Sequence, residues 1–221
     1  VNLRTFIGTA DSQLRTTFAS FRAAGINEVI LDFRYNGGGL VATADLLGDL
    51  LGGNRSSGQI FNQMTYRPEK SANNSTHYFT PQPQAIAPLK LAFIATGNTA
   101  SSSELVVNGM LPYFTTNLAL VGTNTYGKPV GQVAIDRASC DDRLRVIAFA
   151  LRNASGSENY FNGLAGTVNV SGLAADGDIP ANYLTSSTTY QTRGSQWAVA
   201  AMRSRHTWPC RSSSSRSSRM S

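Results

Sequence analysis

Three short segments, each following an apolar run, hold the residues best able to do chemistry: 34–39 (RYNGGG), 97–104 (GNTASSSE) and 123–131 (TNTYGKPVG). The first offers consecutive backbone N–H groups with no side chain in the way. Such a turn entering a helix can hold an oxyanion. It serves equally as a tight strand-to-helix connection, and it lacks the G-x-G-x-x-G spacing of a dinucleotide site. The second sets Ser101, Ser102 and Ser103 before a helix. Ser101 and Glu104 have the spacing of a capping box, which satisfies two backbone donors. A hydroxyl at that point also sits where a helix N-terminus favours negative charge on a nucleophile or its adduct. The third runs Gly122-x-x-x-x-Gly127-Lys128, close to a phosphate-binding loop. Pro129 stands where that loop needs Ser or Thr, and the following GQVAID alternates like a strand, so a nucleotide site is rejected. Lys128, one of three lysines with Lys70 and Lys90, is left as a surface turn residue or a chemical group.

The elements that must position these turns follow from hydrophobic periodicity. Residues 2–7 read as a short strand and 11–24 as a helix, with Asp11 as N-cap, Leu14, Phe18 and Phe21 on one face, and Gly25 as its stop. Residues 28–33 (EVILDF) and 89–96 (LKLAFIAT) are near-continuous apolar runs of the kind covered on both faces. Residues 40–53 regain helical spacing, as does the second half of the segment that follows residue 97. Residues 118–122 read as a strand, and 132–136 with 143–153 as a β-hairpin. Between them, residues 54–88 form a long polar excursion with room for a hairpin, and 195–203 is a helical candidate. The order predicts an α/β fold in which a mixed β-sheet is flanked by helices and followed by an irregular C-terminal segment. Catalytic groups in such sheets gather past the carboxyl ends of strands, where all three turns lie.

Composition bounds the partners. The 221 residues, 41% hydrophobic and 14% charged, fit one large domain with a sizeable core. No stretch approaches twenty apolar residues, and the first residues lack the pattern of a signal peptide. The net charge of +6 suggests nucleic acid, but Arg203, Arg205, Arg211, Arg216 and Arg219 carry most of it in a low-complexity tail. The reading is therefore a domain over 1–202, a basic disordered tail over 203–221, and no nucleic-acid partner or membrane span. Cys140 and Cys210 could pair or stay free; with only His77 and His206 beside them, they make no zinc site. Both histidines are read as surface residues, which leaves a Ser-His-Asp triad without support.

Taken together, the three turns resemble the C-terminal processing, or tail-specific, serine peptidase family, which also includes the repeats of interphotoreceptor retinoid-binding protein. Asp32, Arg34, Asn36, Gly38 and Gly39 match its aspartate-x-arginine-x-asparagine-x-glycine-glycine motif. Residues 99–104 (TASSSE) match its TASASE-like motif, and Thr125, Tyr126, Gly127, Lys128 and Gln132 match its threonine-aromatic-glycine-lysine turn. The resemblance covers about residues 2–155. It departs from the family at Ser102, usually Ala, and at Gly37, usually Pro or Ser. The interval from Ser101 to Lys128 is slightly long, and no PDZ domain is visible.

The resemblance implies a crotonase-like core, with Ser101 as nucleophile, Lys128 as general base and Gln132 as the residue that orients the lysine. It implies an oxyanion hole made by the N–H groups of Ser102 and Gly38, a polypeptide substrate, no metal or cofactor, and an envelope, periplasmic or secreted location. A Ser-Lys dyad requires a lysine that is neutral at working pH, and burial beside apolar groups moves a lysine in that direction. Two other functions stay open: a non-catalytic module binding apolar ligands or peptides, and an acyl-ester hydrolase using the same turns.

Overall fold

A computed structural model describes residues 1–114, 116–137 and 142–167 of the chain. The elements in order are α1 (Gly8–Ala23), β1 (Glu28–Asp32), α2 (Val41–Leu51), β2 (Ile60–Tyr66), β3 (Ser75–Tyr78), β4 (Lys90–Ala95), α3 (Ser102–Met110), β5 (Leu118–Gly122), β6 (Val130–Arg137) and β7 (Asp142–Arg152). They form two sheets. A parallel sheet has the order β1-β4-β5, and an antiparallel sheet has the order β3-β2-β7-β6.

The parallel sheet explains the apolar runs. In β4, Leu91 to Ala95 are all buried, as expected of a central strand with elements on both faces. Phe33 and Phe93 pack with tilted rings at 5.5 Å and Phe6 meets Phe33 edge-on at 5.6 Å, which carries the core to the end of β1. Helices α2 and α3 pack on each other, and Phe61 of β2 is wedged between them. A Cβ on Gly48 of α2 would lie 2.4 Å from its ring, and one on Gly109 of α3 would lie 2.6 Å away. Glycine at both positions lets the ring seat itself, joining the antiparallel sheet to the helices.

Several expectations shift by a few residues. The segment 2–7 makes only isolated bridges, Asn2 with Asp32 and Phe6 with Gly39. Its partner stretch turns at Tyr35, so no continuous ladder forms. Helix α1 begins at Gly8 with Ile7 in the capping position, which places Asp11 in the first turn, where its charge still complements the helix dipole. The excursion does hold a hairpin, β2 with β3. His77 is not an ordinary surface residue: its side chain is 26% exposed and its Nε2 lies 3.0 Å from buried Asp49. Asp45 completes that cluster and hydrogen-bonds Asn62. The helical candidate at 195–203, the basic tail, the boundary at residue 202, His206 and both cysteines lie outside the described residues. Among the described residues, no helix is long and apolar enough to cross a membrane.

Candidate active site

The first turn is built by its own polar side chains. Asp32 and Arg34 form a buried bidentate pair, with Nη2 to Oδ2 at 2.7 Å and Nε to Oδ1 at 3.0 Å. Asn36, fully buried, donates to the Leu3 carbonyl at 2.8 Å and accepts from the Gly38 N–H at 2.9 Å. These residues shape the loop; they do not face solvent as reactants. Gly38 has φ +101 and touches the next turn, since a Cβ there would come 2.8 Å from Ser101 Cβ and 2.8 Å from Ser102 N. Its N–H, expected to face an oxyanion, is engaged by Asn36 in this arrangement.

The second turn separates the three serines. Ser102 Oγ donates to the Gly39 carbonyl at 2.8 Å and Ser103 Oγ to the Asn36 carbonyl at 2.9 Å, so both hydroxyls are tied to the first turn. Ser102 and Ser103 are buried, whereas Ser101 is half-buried. Ser101 has φ 57 and ψ −116, in a region that non-glycine residues rarely occupy. Such strain at the tip of a strand-to-helix turn costs on the order of 1–3 kcal/mol and is what holds a nucleophile proud of its sheet. Ser101 and Glu104 also close the expected capping box, with the Ser101 N–H donating to Glu104 Oε2 at 2.9 Å. The two readings of this segment are compatible, because an accepting hydroxyl oxygen keeps its hydrogen free to donate.

Glu104 does more than cap. It is fully buried, and its two oxygens accept four hydrogen bonds. Oε2 takes the N–H of Ser101 and, at 2.8 Å, that of Lys128. Oε1 takes Thr125 Oγ1 at 2.5 Å and the Gly127 N–H at 2.7 Å. A carboxylate can be kept from water only when its lone pairs are satisfied in this way. The third turn is thereby fastened to the start of α3. A second fastening runs from the Tyr126 N–H to the Thr99 carbonyl at 2.9 Å. Thr125 is also held from beyond β7, where the Leu164 N–H donates to its Oγ1 at 2.7 Å.

The structure thus gathers Gly38, Ser101, Ser102 and the Lys128 backbone in one hydrogen-bonded unit. Lys128 is half-buried, and among the described residues its side chain makes no ion pair. Gln132 is not part of this unit: it pairs with Ile147 in the β6–β7 ladder, its side chain is exposed, and no hydrogen bond joins it to Lys128 among the described residues. Glu104 and Thr125 are the residues whose linking role the sequence reading missed. The visible signal was the Thr three residues before Lys128. Among the described residues, no group of acidic, histidine or cysteine side chains could hold a metal ion.

Comparison with known proteins agrees with this architecture. A candidate S41 protease from Bacteroides fragilis NCTC 9343 superposes with a TM-score of 0.75 and 24% identity, over 90% of this chain and 52% of that one. The photosystem II D1 C-terminal processing protease gives 0.60 and 20%, over 76% and 41%. A lipoprotein from Streptococcus agalactiae gives 0.58 and 14%, over 90% and 65%. At these identities the likeness is one of fold. The chain spans about half the length of the first two, 52% and 41%. A search of curated protein sequences finds no match. The model of peptidase family S41 matches residues 1–170, most of the chain, and the chain therefore belongs to peptidase family S41.

Proposed function

We propose that this chain is a serine endopeptidase that cleaves unfolded polypeptides through an acyl-enzyme formed on Ser101, with Lys128 as the base. The neutral lysine amine takes the Ser101 hydroxyl proton as Oγ attacks the peptide carbonyl. The negative oxygen of the tetrahedral intermediate rests on the Ser102 N–H, the first of α3, where the helix dipole also favours it. Gly38 faces the same spot, and that oxygen competes with Asn36 Oδ1 for the Gly38 hydrogen. The lysine ammonium then protonates the leaving amine. Water, deprotonated by the same lysine, attacks the ester carbonyl, and the lysine returns that proton to Ser101 Oγ as the Oγ–acyl bond breaks. The expected role of Gln132 in orienting the lysine has no support in its exposed position, and this scheme leaves it out.

The observation that carries the reading is the shared oxygen of Glu104, which ties the backbone of the nucleophile to that of the lysine. The test is turnover of an unfolded, fluorescently labelled polypeptide. Ser101→Ala and Lys128→Ala should each abolish it while leaving thermal unfolding nearly unchanged. A Lys128→Ala protein that cleaves at the parent rate would refute the assignment.

A further inference from the structure

The three glycines of the first turn differ in what requires them. Gly38 (φ +101) and Gly39 (φ +143) occupy backbone conformations that suit glycine, and a Cβ on Gly39 would lie 2.0 Å from the Phe6 carbonyl oxygen. Gly37 has no such requirement: it is exposed, and nothing lies within 4 Å of where a Cβ would stand. Glycine there only adds backbone freedom. The loop is fastened to the Ser101 segment on both sides of this loose point. Before it, the Asn36 carbonyl accepts the Ala100 N–H at 3.0 Å and the Ser103 hydroxyl at 2.9 Å. After it, the Gly39 carbonyl accepts the Ser102 hydroxyl at 2.8 Å. The other bonds on that far side lead away from α3, from the Phe6 N–H and the Thr5 hydroxyl to the Gly38 carbonyl and from the Leu40 N–H to the Phe6 carbonyl. Among the described residues, the Ser102 hydroxyl is therefore the hydrogen bond that ties the far side of the loop to α3.

We propose that the Ser102 hydroxyl is a positioning group for the reaction: by holding the Gly39 carbonyl it offsets the freedom of Gly37 and keeps the Gly38 and Ser102 N–H groups in register on one oxyanion. The proposal rests on the peptidase reading and adds to it a role for the side chain of a residue whose N–H is the donor. The two donors are already neighbours, since a Cβ on Gly38 would come 2.8 Å from Ser102 N. Donors aimed in advance stabilise the developing negative charge without reorganising as it forms. A loop free to pivot at Gly37 would lose that aim. The hydroxyl is engaged by a carbonyl, so it acts through the loop, and its removal weakens the transition state more than the binding of substrate. Stiffening the chain at residue 37 and tethering it from Ser102 restrict the same motion. Either one makes the other less necessary, and the two positions are therefore coupled.

The test is a double-mutant cycle on the full chain, with Ser102→Ala made alone and together with Gly37→Ala. Turnover of an unfolded, labelled polypeptide is resolved into kcat and KM. Ser102→Ala alone should lower kcat about fivefold to tenfold and leave KM within about twofold. In the chain carrying Gly37→Ala the same substitution should cost about threefold or less. A loss under about twofold from Ser102→Ala alone, or an equal loss in both backgrounds, overturns the proposal. Amide hydrogen exchange at Gly38 and Leu40 is read on the same proteins. It should be at least about threefold faster in Ser102→Ala and slower again when Gly37→Ala is added. Unchanged exchange overturns the tether whatever the kinetics, and faster exchange with undiminished kcat reduces the bond to a structural one and overturns its positioning role. Faster exchange in a parent chain that shows no turnover would keep the tether and refute the peptidase reading.

Discussion

The backbone N–H groups of Ser101 and Lys128 converge on one atom, Oε2 of the buried Glu104, at 2.9 and 2.8 Å. The turns of Ser101, the proposed nucleophile, and of Lys128 are therefore a single object, and their relative position is set by a carboxylate that bonds their backbones. Glu104 is a positioning residue: its other oxygen holds Thr125 and Gly127 in the same way.

Replacing Glu104 with Gln keeps the volume but puts an NH2 group where one carboxylate oxygen accepted two donors. Buried donors left unpaired cost about 1–3 kcal/mol each, so with two of them Glu104→Gln should lower unfolding stability by roughly 2–6 kcal/mol. Peptide turnover should fall even at temperatures where the variant is fully folded. Chemical denaturation and turnover of the same preparation measure both, and a fully stable, fully active variant would show that the carboxylate is dispensable.

Much of this was legible in the sequence because the fold's polar signals are local. The strands β1, β4 and β5 announce themselves by uninterrupted apolar runs, and Ser101 with Glu104 by capping spacing. Long-range bonds were not legible. Nothing in the order of residues says that the same Glu104 reaches Lys128, since that contact depends on how β5 and the third turn return to α3. The triple serine was ambiguous for the same reason: only the bonds of Ser102 to Gly39 and Ser103 to Asn36 separate their hydroxyls from that of Ser101. His77 read as a surface residue because its carboxylate partners lie on α2, remote in sequence.

Gly38→Ala should be more damaging than a one-methyl change suggests. The added Cβ meets Ser101 Cβ and Ser102 N at 2.8 Å, and φ +101 is strained for any L side chain. Backbone strain of this kind is on the order of 1–3 kcal/mol, and relief comes only by moving the Ser101 turn. Activity should drop at least about a hundredfold, since displacements of about 1 Å at a reacting group cost that much. Steady-state kinetics on folded protein would decide it, and near-parent kcat/KM would contradict the packing argument.

Gln132→Ala, by contrast, should leave turnover within about threefold of the parent, because changes to exposed side chains away from special features have small effects. A fall comparable to that of Lys128→Ala would show that Gln132 swings in to orient the lysine when substrate binds, and would restore the role the family resemblance implied.

The Asp45–Asp49–His77 cluster predicts a pH dependence of stability. Burial pushes Asp45 up to about 6, the neighbouring Asp49 adding to this while His77 and the Asn62 hydrogen bond oppose it. Burial disfavours the charged form of His77, but the Asp49 hydrogen bond and the two carboxylate charges hold it above its ordinary value. For both groups the folded state binds its proton more tightly than the unfolded chain does, so stability falls as pH rises through their titration. For Asp45 the fall occupies about pH 4 to 6 and amounts to about 3 kcal/mol, from two pKa units at about 1.4 kcal/mol each. The His77 contribution is complete below pH 6.5 and is lost as pH climbs through its raised value. Urea unfolding from pH 4 to 8 should show this slope, and Asp45→Asn should flatten its acidic part. An unchanged slope in that variant would assign the effect to other groups.

The most direct test of the central claim is where the acyl group lands. A slowly hydrolysed peptide ester, quenched in acid during its first turnover and mapped by mass spectrometry, should leave its acyl group on Ser101 and none in Lys128→Ala. An acyl group on Ser102 or Ser103, or the same yield without the lysine, would contradict the account.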